Sequence, residues 1–407
     1  MKKHIGSLVF IFICTSIAWM ILGSATSVRT HEQDSTLRNA VGQLWGTIQS
    51  QQAPNVYYTT TKQREVKTHY GSETVVEIIT DTAYYDVPID GSEIEIGIDL
   101  EHRKKGLLWY ATYTVSFRGR YRVMNNSAVV QDLNFLYVFP TYEGVYDNFT
   151  ITVGSDKIQD LKPVNGRIIY SSVFRPGETK EISVEYKSQG LEEWWYILGS
   201  GVSHVKNFDL VMTTDFTKIN FPQNSMSPTS KEEISGGWKL TWNYENLISG
   251  IQIGMEMPEK VNPGPFVSKV TFFAPISLFL FFFLIFIITA LQTIKIHPMN
   301  YFFVAAAFFS FHLLLAYLAD HVDIHVALII SSAVSIFLVV SYIRLVAGGR
   351  FAFFEMGLAQ FVYLVLFSYS FFLHGYTGLA ITILCIVTLF IIMQLTARID
   401  WGQQFSK

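Results

Sequence analysis

The chain has 407 residues, half of them hydrophobic, 15% charged and 15% aromatic, with a formal net charge of −3. That balance is unusual for a wholly soluble protein and common for one partly in lipid, and the lack of a basic excess excludes nucleic acid as a partner. Both cysteines, Cys14 and Cys385, fall in apolar stretches, so the polar part of the chain offers neither a disulfide nor a thiolate metal cage.

In chain order, Met1-Lys2-Lys3-His4 leads into an apolar run from Ile5 to Leu22. A spanning helix needs about 20 apolar residues, because the hydrocarbon core is about 30 Å thick. Gly23-Ser24-Ala25 also fits the end of a cleavable leader. The length of the run favours a retained transmembrane anchor over residues 1–25. Between Arg29 and Gln52, Leu37, Val41, Leu44/Trp45 and Ile48 recur near a period of 3.6, which predicts a connecting amphipathic helix over 26–52.

After Pro54 the period changes to two. Ile94, Ile96, Ile98 and Leu100 alternate with polar residues, as do Trp109, Ala111, Tyr113, Val115, Phe117, Tyr121 and Val123. Further strands are expected at 73–79, 129–138, 166–174, 180–187, 208–214, 238–244 and 249–255. Short strands at this spacing predict an antiparallel β-sandwich-like domain over 53–257. Arg118, Arg120 and Arg122 share its polar face, as a binding stripe for phosphates or acidic glycans or as a cross-strand charge ladder, the favoured reading. A hairpin would bring Glu93 near Arg118. Trp194-Trp195-Tyr196 is a candidate partner-binding or membrane-resting patch, although core packing is the commoner fate of such a cluster.

Residues 258–268 form a Pro-rich linker. The bundle of 269–398 then contains five spans, near Val270–Ile294, Tyr301–Ala319, Val326–Ile343, Ala352–Leu373 and Thr377–Ala397, and residues 399–407 form a tail. Between Ser27 and Val267 there are 22 Lys/Arg and 29 Asp/Glu, whereas Val270–Thr396 contains only Lys295, Asp320, Asp323, Arg344, Arg350 and Glu355 as strong charges. With Lys2 and Lys3 in the cytoplasm, the inner loops contain Lys295, Arg344 and Arg350, while the outer turns contain Asp320, Asp323 and His374 and no Lys or Arg. The positive-inside rule therefore predicts both termini cytoplasmic and the β-rich domain periplasmic. A disulfide-free domain of that size outside the membrane suits a bacterial envelope.

The segment A-D-H-V-D-I-H, residues 319–325, gathers Asp320, His321, Asp323 and His325. With His312 two turns earlier and His374 in the other outer turn, these are candidate metal ligands by residue type. A polar turn between two apolar helices is the favoured alternative. No G-x-S-x-G, H-E-x-x-H or phosphate-binding loop occurs, so the expectation is a non-enzymatic protein without a cofactor. Its partners are expected to be the lipid bilayer and an envelope protein or glycan. A small ion-coupled transporter using His312 and the outer Asp/His set is the alternative from another class.

The segments I-H-P-M-N-Y-F-F (296–303), L-A-Y-L-A-D-H (315–321), Y-I-R-L-V-A-G-G-R (342–350) and A-R-I-D-W (397–401) together resemble the CreD family of bacterial inner-membrane proteins. L-R-N-A-V-G-Q-L-W-G-T-I-Q (37–49) is similar to that family's post-anchor helix, and 186–265 to its last ectodomain strands. The resemblance implies this architecture and a role in envelope integrity, in some bacteria within a two-component regulon altering tolerance of colicins and β-lactams. It implies no catalytic residue.

Overall fold

The computed structural model describes residues 2–70, 73–106, 108–158, 161–292, 294–373 and 375–397. The chain divides into a helical unit of residues 1–36, 106–108 and 261–407 and a β unit of residues 37–105 and 109–260. Helix α1 runs without interruption over Lys2–Trp45. The helix predicted to reach residue 52 therefore stops seven residues early, and Gln49–Gln52 is a strand, β1. The stop has a local cause. Gly46 adopts φ +139°, a conformation that L side chains avoid, and a Cβ there would collide with the Gln189 carbonyl.

The β unit continues with β2 (Asn55–Tyr70), β3 (Glu73–Asp86), β4 (Ile89–Lys105), β5 (Leu108–Met124), β6 (Gln131–Val138), β7 (Tyr146–Val153) and β8 (Asp156–Lys157). After these come β9 (Arg167–Phe174), β10 (Thr179–Leu191), β11 (Glu193–Ile197), β12 (Ser203–Thr214), β13 (Ser230–Ile234), β14 (Gly237–Ser249) and β15 (Ile253–Glu256). They build an eight-stranded sheet ordered β13-β14-β12-β4-β5-β10-β7-β8, a four-stranded sheet β3-β2-β6-β9 and a three-stranded sheet β1-β11-β15. The sheets are mostly antiparallel, as alternation implied. Among the described residues two strand pairs are parallel, β4 with β12 and β1 with β11. Neither pair is joined by a hairpin, so no tight turn imposes the antiparallel sense.

The alternation read from the sequence sets the core. Ile94, Ile96 and Ile98 of β4 and Tyr113, Val115, Phe117, Tyr121 and Val123 of β5 are buried, together with Leu210, Met212, Leu240 and Trp242. Strand β1 inserts Gln51 into this apolar interior. Its Oε1 accepts from Tyr137 Oη at 2.6 Å and Tyr186 Oη at 2.9 Å, and its Nε2 donates to the Gln52 carbonyl at 2.7 Å. One amide thereby satisfies two buried phenols, which would otherwise be costly in a low-dielectric core. Strands β2 and β3 differ from the rest. Only Asn55–Tyr57 of β2 pairs with β6, while Tyr57–Tyr70 pairs with β3, so most of this hairpin is a two-stranded ribbon, and the side chains at 59–65 and 78–86 are largely exposed.

In the helical unit, α1 is followed by α2 (Pro263–Leu291), α3 (Pro298–Leu318) and α4 (Ile324–Ala347), then a composite α5 (Phe351–Phe372) and α6 (Thr377–Thr396). Among the described residues six helices are long and apolar enough to cross a membrane. Pro298 opens α3, where its missing N–H costs nothing, and His297 caps the same end through Nδ1 to the Met299 N–H at 3.2 Å. Gly348, at φ +92°, closes α4. The unit has its own apolar core, in which Trp19 of α1 packs edge-on against Phe308 at 6.3 Å between ring centroids.

Candidate functional site

Each group of residues marked in the sequence has a definite place. On the open face of the eight-stranded sheet, Arg118 pairs with Glu185 at 2.8 Å and Glu95 at 3.4 Å. Arg120 pairs with Glu95 at 3.0 Å and Glu93 at 3.3 Å. The ladder exists, with Glu93 meeting Arg120 in place of Arg118. Arg122 packs its guanidinium over Gly91, where the missing side chain leaves room. A groove of about 490 Å³ lies on this face, lined by Glu95, Gly97, Ser116, Arg118, Glu185 and Lys187 among others. Its floor stays open because Gly97 and Ser116 face each other across β4 and β5.

For the aromatic cluster the structure supports the favoured reading, core packing, and not the docking patch. Trp194 and Tyr196 are fully buried, and Tyr196 Oη lies 3.4 Å from Tyr121 Oη. Strand alternation leaves only Trp195 half-exposed, its Nε1 on Glu193 at 2.8 Å and its ring over Gly254. Trp194 and Tyr196 are core residues and present no docking surface. Burial also raises the phenol pKa of Tyr113, Tyr121, Tyr137, Tyr186 and Tyr196, and pushes Tyr146 up to about 12.

The Asp/His turn between α3 and α4 disperses its side chains. Asp320 accepts from Arg29 Nη2 at 2.9 Å, and the same guanidinium donates to the Ala316 carbonyl at 3.3 Å and lies over the Tyr317 ring. Asp323 caps α4 by accepting from the His325 N–H at 2.9 Å. His325 stacks on Phe372 at 4.4 Å, and His321 is exposed. His312 is buried against Trp19, Phe308 and Phe311, with Nδ1 3.2 Å from the Phe308 carbonyl. His374 lies outside the described residues, as does the tail from 398 onward. Among the described residues no three His, Cys, Asp or Glu side chains converge as a metal site would require. Asp320 and Asp323 are thus engaged in an ion pair and a helix cap.

Sequence reasoning gave little weight to the interior of α5. This span alternates π-helix (Phe351–Met356), α-helix (Gly357–Gln360), π-helix (Phe361–Leu366) and a final short α/3₁₀ segment. Gln360 is fully buried and its Nε2 donates to Ser335 Oγ at 2.8 Å, while Ser335 donates its own proton to the Ala307 carbonyl at 2.6 Å. Ser277 of α2 donates to the Tyr363 carbonyl, and Tyr363 Oη meets Thr388 Oγ1 at 2.7 Å. The available signals were Gln360 and Glu355 as isolated polar residues in an apolar span, and Pro275 within α2. π-turns carry no sequence signature but often accompany functional positions.

Six membrane-length helices and a separately cored β unit define a multi-pass α+β membrane protein. Residues 223–402 match the family model described as inner membrane protein CreD. Over those residues the chain is similar to that family, which bears out the resemblance of the C-terminal segments and fits an inner-membrane protein. None of the curated proteins matches. Solved structures with partial likeness include a candidate nutrient-binding protein of Legionella pneumophila, with 9% identity, 57% of this chain and 76% of that chain covered, and a TM-score of 0.33. An M1 zinc metallopeptidase of Deinococcus radiodurans shares 10% identity over 42% of each chain at a TM-score of 0.23. At those scores neither likeness carries an argument.

Proposed function

We propose that this is a non-enzymatic, multi-pass protein of the bacterial inner membrane that supports envelope integrity or the envelope-stress response. Its β unit would stand on the periplasmic side and bind an envelope protein or glycan. The observation that carries this reading is a β unit with its own core in a chain whose C-terminal part matches the CreD model. Charge asymmetry supports the orientation, since Lys295, Arg344 in the last turn of α4 and Arg350 at the start of α5 fall at the same ends of the spans by helix order, and Asp320 and Asp323 at the other ends. The open polar groove around Arg118, Glu185 and Lys187 is the favoured contact surface.

The test is site-specific photo-crosslinking from positions 122 and 187 of the full-length protein in intact cells. A discrete adduct with an envelope component supports the reading. Failure to obtain any adduct from either position, with the protein present at normal level, counts against it.

A further inference from the structure

The helical unit contains oxygen atoms that its hydrogen bonds leave over. Thr271 Oγ1, Ser331 Oγ, Gln360 Oε1 and Ser368 Oγ belong to fully buried side chains and have no hydrogen-bond partner. Unsatisfied polar groups in a hydrocarbon-embedded interior are costly, so four of them in one bundle call for a partner. The orientation of the Gln360 amide is fixed by proton accounting. Ser335 has one proton and donates it to Ala307, so its oxygen can only accept from Gln360 Nε2. Gln360 Oε1 is thereby turned elsewhere. Ser331 lies one turn from Ser335 on the same face of α4, within about 6 Å.

The backbone adds to the set. Pro275 has no N–H, so the carbonyl of Thr271, four residues earlier in α2, lacks its helical donor. The two π-turns of α5 displace its carbonyl ladder on either side of Gln360. Glu355 lies five residues before Gln360, and one of its carboxylate oxygens is buried without a partner. His325 and Phe266 both stack on Phe372, which places Thr271 and Ser368 toward the Asp/His end and Glu355 toward the opposite end. Along the helices, the order from one end of the bundle to the other is therefore Glu355, Gln360, Ser331, and then Thr271 and Ser368 toward the Asp/His end.

A site made of neutral oxygens plus one carboxylate, without imidazole or thiolate, suits a hard alkali cation and not zinc. Interrupted helices with freed carbonyls are the usual setting for intramembrane sodium sites. We propose that the bundle binds a monovalent cation of sodium's size at Gln360 Oε1 and Ser331 Oγ, with Glu355 supplying the balancing charge. Thr271 and Ser368 form a second station toward the Asp/His end. This does not depend on what the β unit binds.

The test uses the full-length protein in nanodiscs of uncharged lipid, titrated with NaCl, KCl or choline chloride at constant ionic strength. The expected result is a saturable, sodium-specific rise in the unfolding temperature that choline does not reproduce. Gln360→Leu and Ser331→Ala should each abolish it, and Glu355→Gln should weaken sodium affinity about tenfold. Should Gln360→Leu fail to fold, Ser331→Ala, which removes only one oxygen, decides the matter through radioactive sodium binding. An equal response to choline and sodium, which water in place of a cation would give, overturns the proposal. So does sodium binding that Ser331→Ala leaves unchanged.

Discussion

Replacing Asp320 by Asn tests the structural reading of the Asp/His turn directly. The Asp320 carboxylate sits 2.9 Å from Arg29 Nη2, with the side chains 14% and 36% exposed respectively. At that separation the Coulomb attraction is about 1.4 kcal/mol in bulk water and about 6 kcal/mol at an effective dielectric of 20. Rehydration of the freed charge returns part of this, leaving a net loss of about 1–3 kcal/mol. For a unit of this size the unfolding temperature falls by about 2–4 °C per kcal/mol. Arg29→Gln should cost more than Asp320→Asn, since it strands the more buried partner and also loses the Ala316 and Tyr317 contacts. The assay is thermal unfolding of the purified full-length protein as a double-mutant cycle, with an expected coupling of about 1–2 kcal/mol. Additivity within about 0.5 kcal/mol would refute the ion-pair reasoning. A zinc-dependent rise in stability that Asp320→Asn removes would restore the metal reading.

Three further outcomes follow from the β unit. Gln51→Leu strands the Tyr137 and Tyr186 phenols in the core, and should destabilise by about 2–6 kcal/mol in denaturant titration, at about 1–3 kcal/mol for each unsatisfied group; a loss below 1 kcal/mol would show that the phenols find other partners. Because the folded-state phenol pKa values of Tyr113, Tyr121, Tyr137, Tyr146, Tyr186 and Tyr196 are raised, the folded state holds these protons longer than the unfolded chain. The stability they contribute is fully present below about pH 10 and is lost as pH rises through the raised values, near 12 for Tyr146; appearance of the full phenolate-absorbance change of all the tyrosines without unfolding, leaving no protected class, would contradict their burial. Arg118→Ala should change stability by less than about 1 kcal/mol, as expected for exposed ion pairs, and a much larger loss in the same titration would mean that the ladder carries more than surface charge.

Much of the architecture could be read because burial imposes period on sequence. Ile94, Ile96 and Ile98 alternate because one face of β4 is core, and the apolar spans are continuous because lipid or protein covers every face. At 61–65 and 81–86 successive residues of the β2–β3 ribbon are exposed on both faces, so β2 shows no alternation there and was missed. Gln49–Gln52 read as helix because Ile48 extends the apolar stripe, whereas Gly46 and the buried roles of Gln49 and Gln51 make the next segment a strand. The composition of the Asp/His turn was visible, but the partner of Asp320 was not. Arg29 reaches it only when α1 packs in the bundle. Gln360 is a lone polar residue in an apolar run, and its relation to Ser335 exists only once α4 and α5 meet.

The central claim is that the β unit works on the periplasmic side of the inner membrane. Single cysteines at Lys187 and Arg350, with Cys14 and Cys385 replaced by serine, test it by labelling intact spheroplasts with a membrane-impermeant thiol reagent. The account predicts labelling of Lys187→Cys before lysis and of Arg350→Cys only after it. The reverse pattern would place the β unit in the cytoplasm and contradict the proposed function.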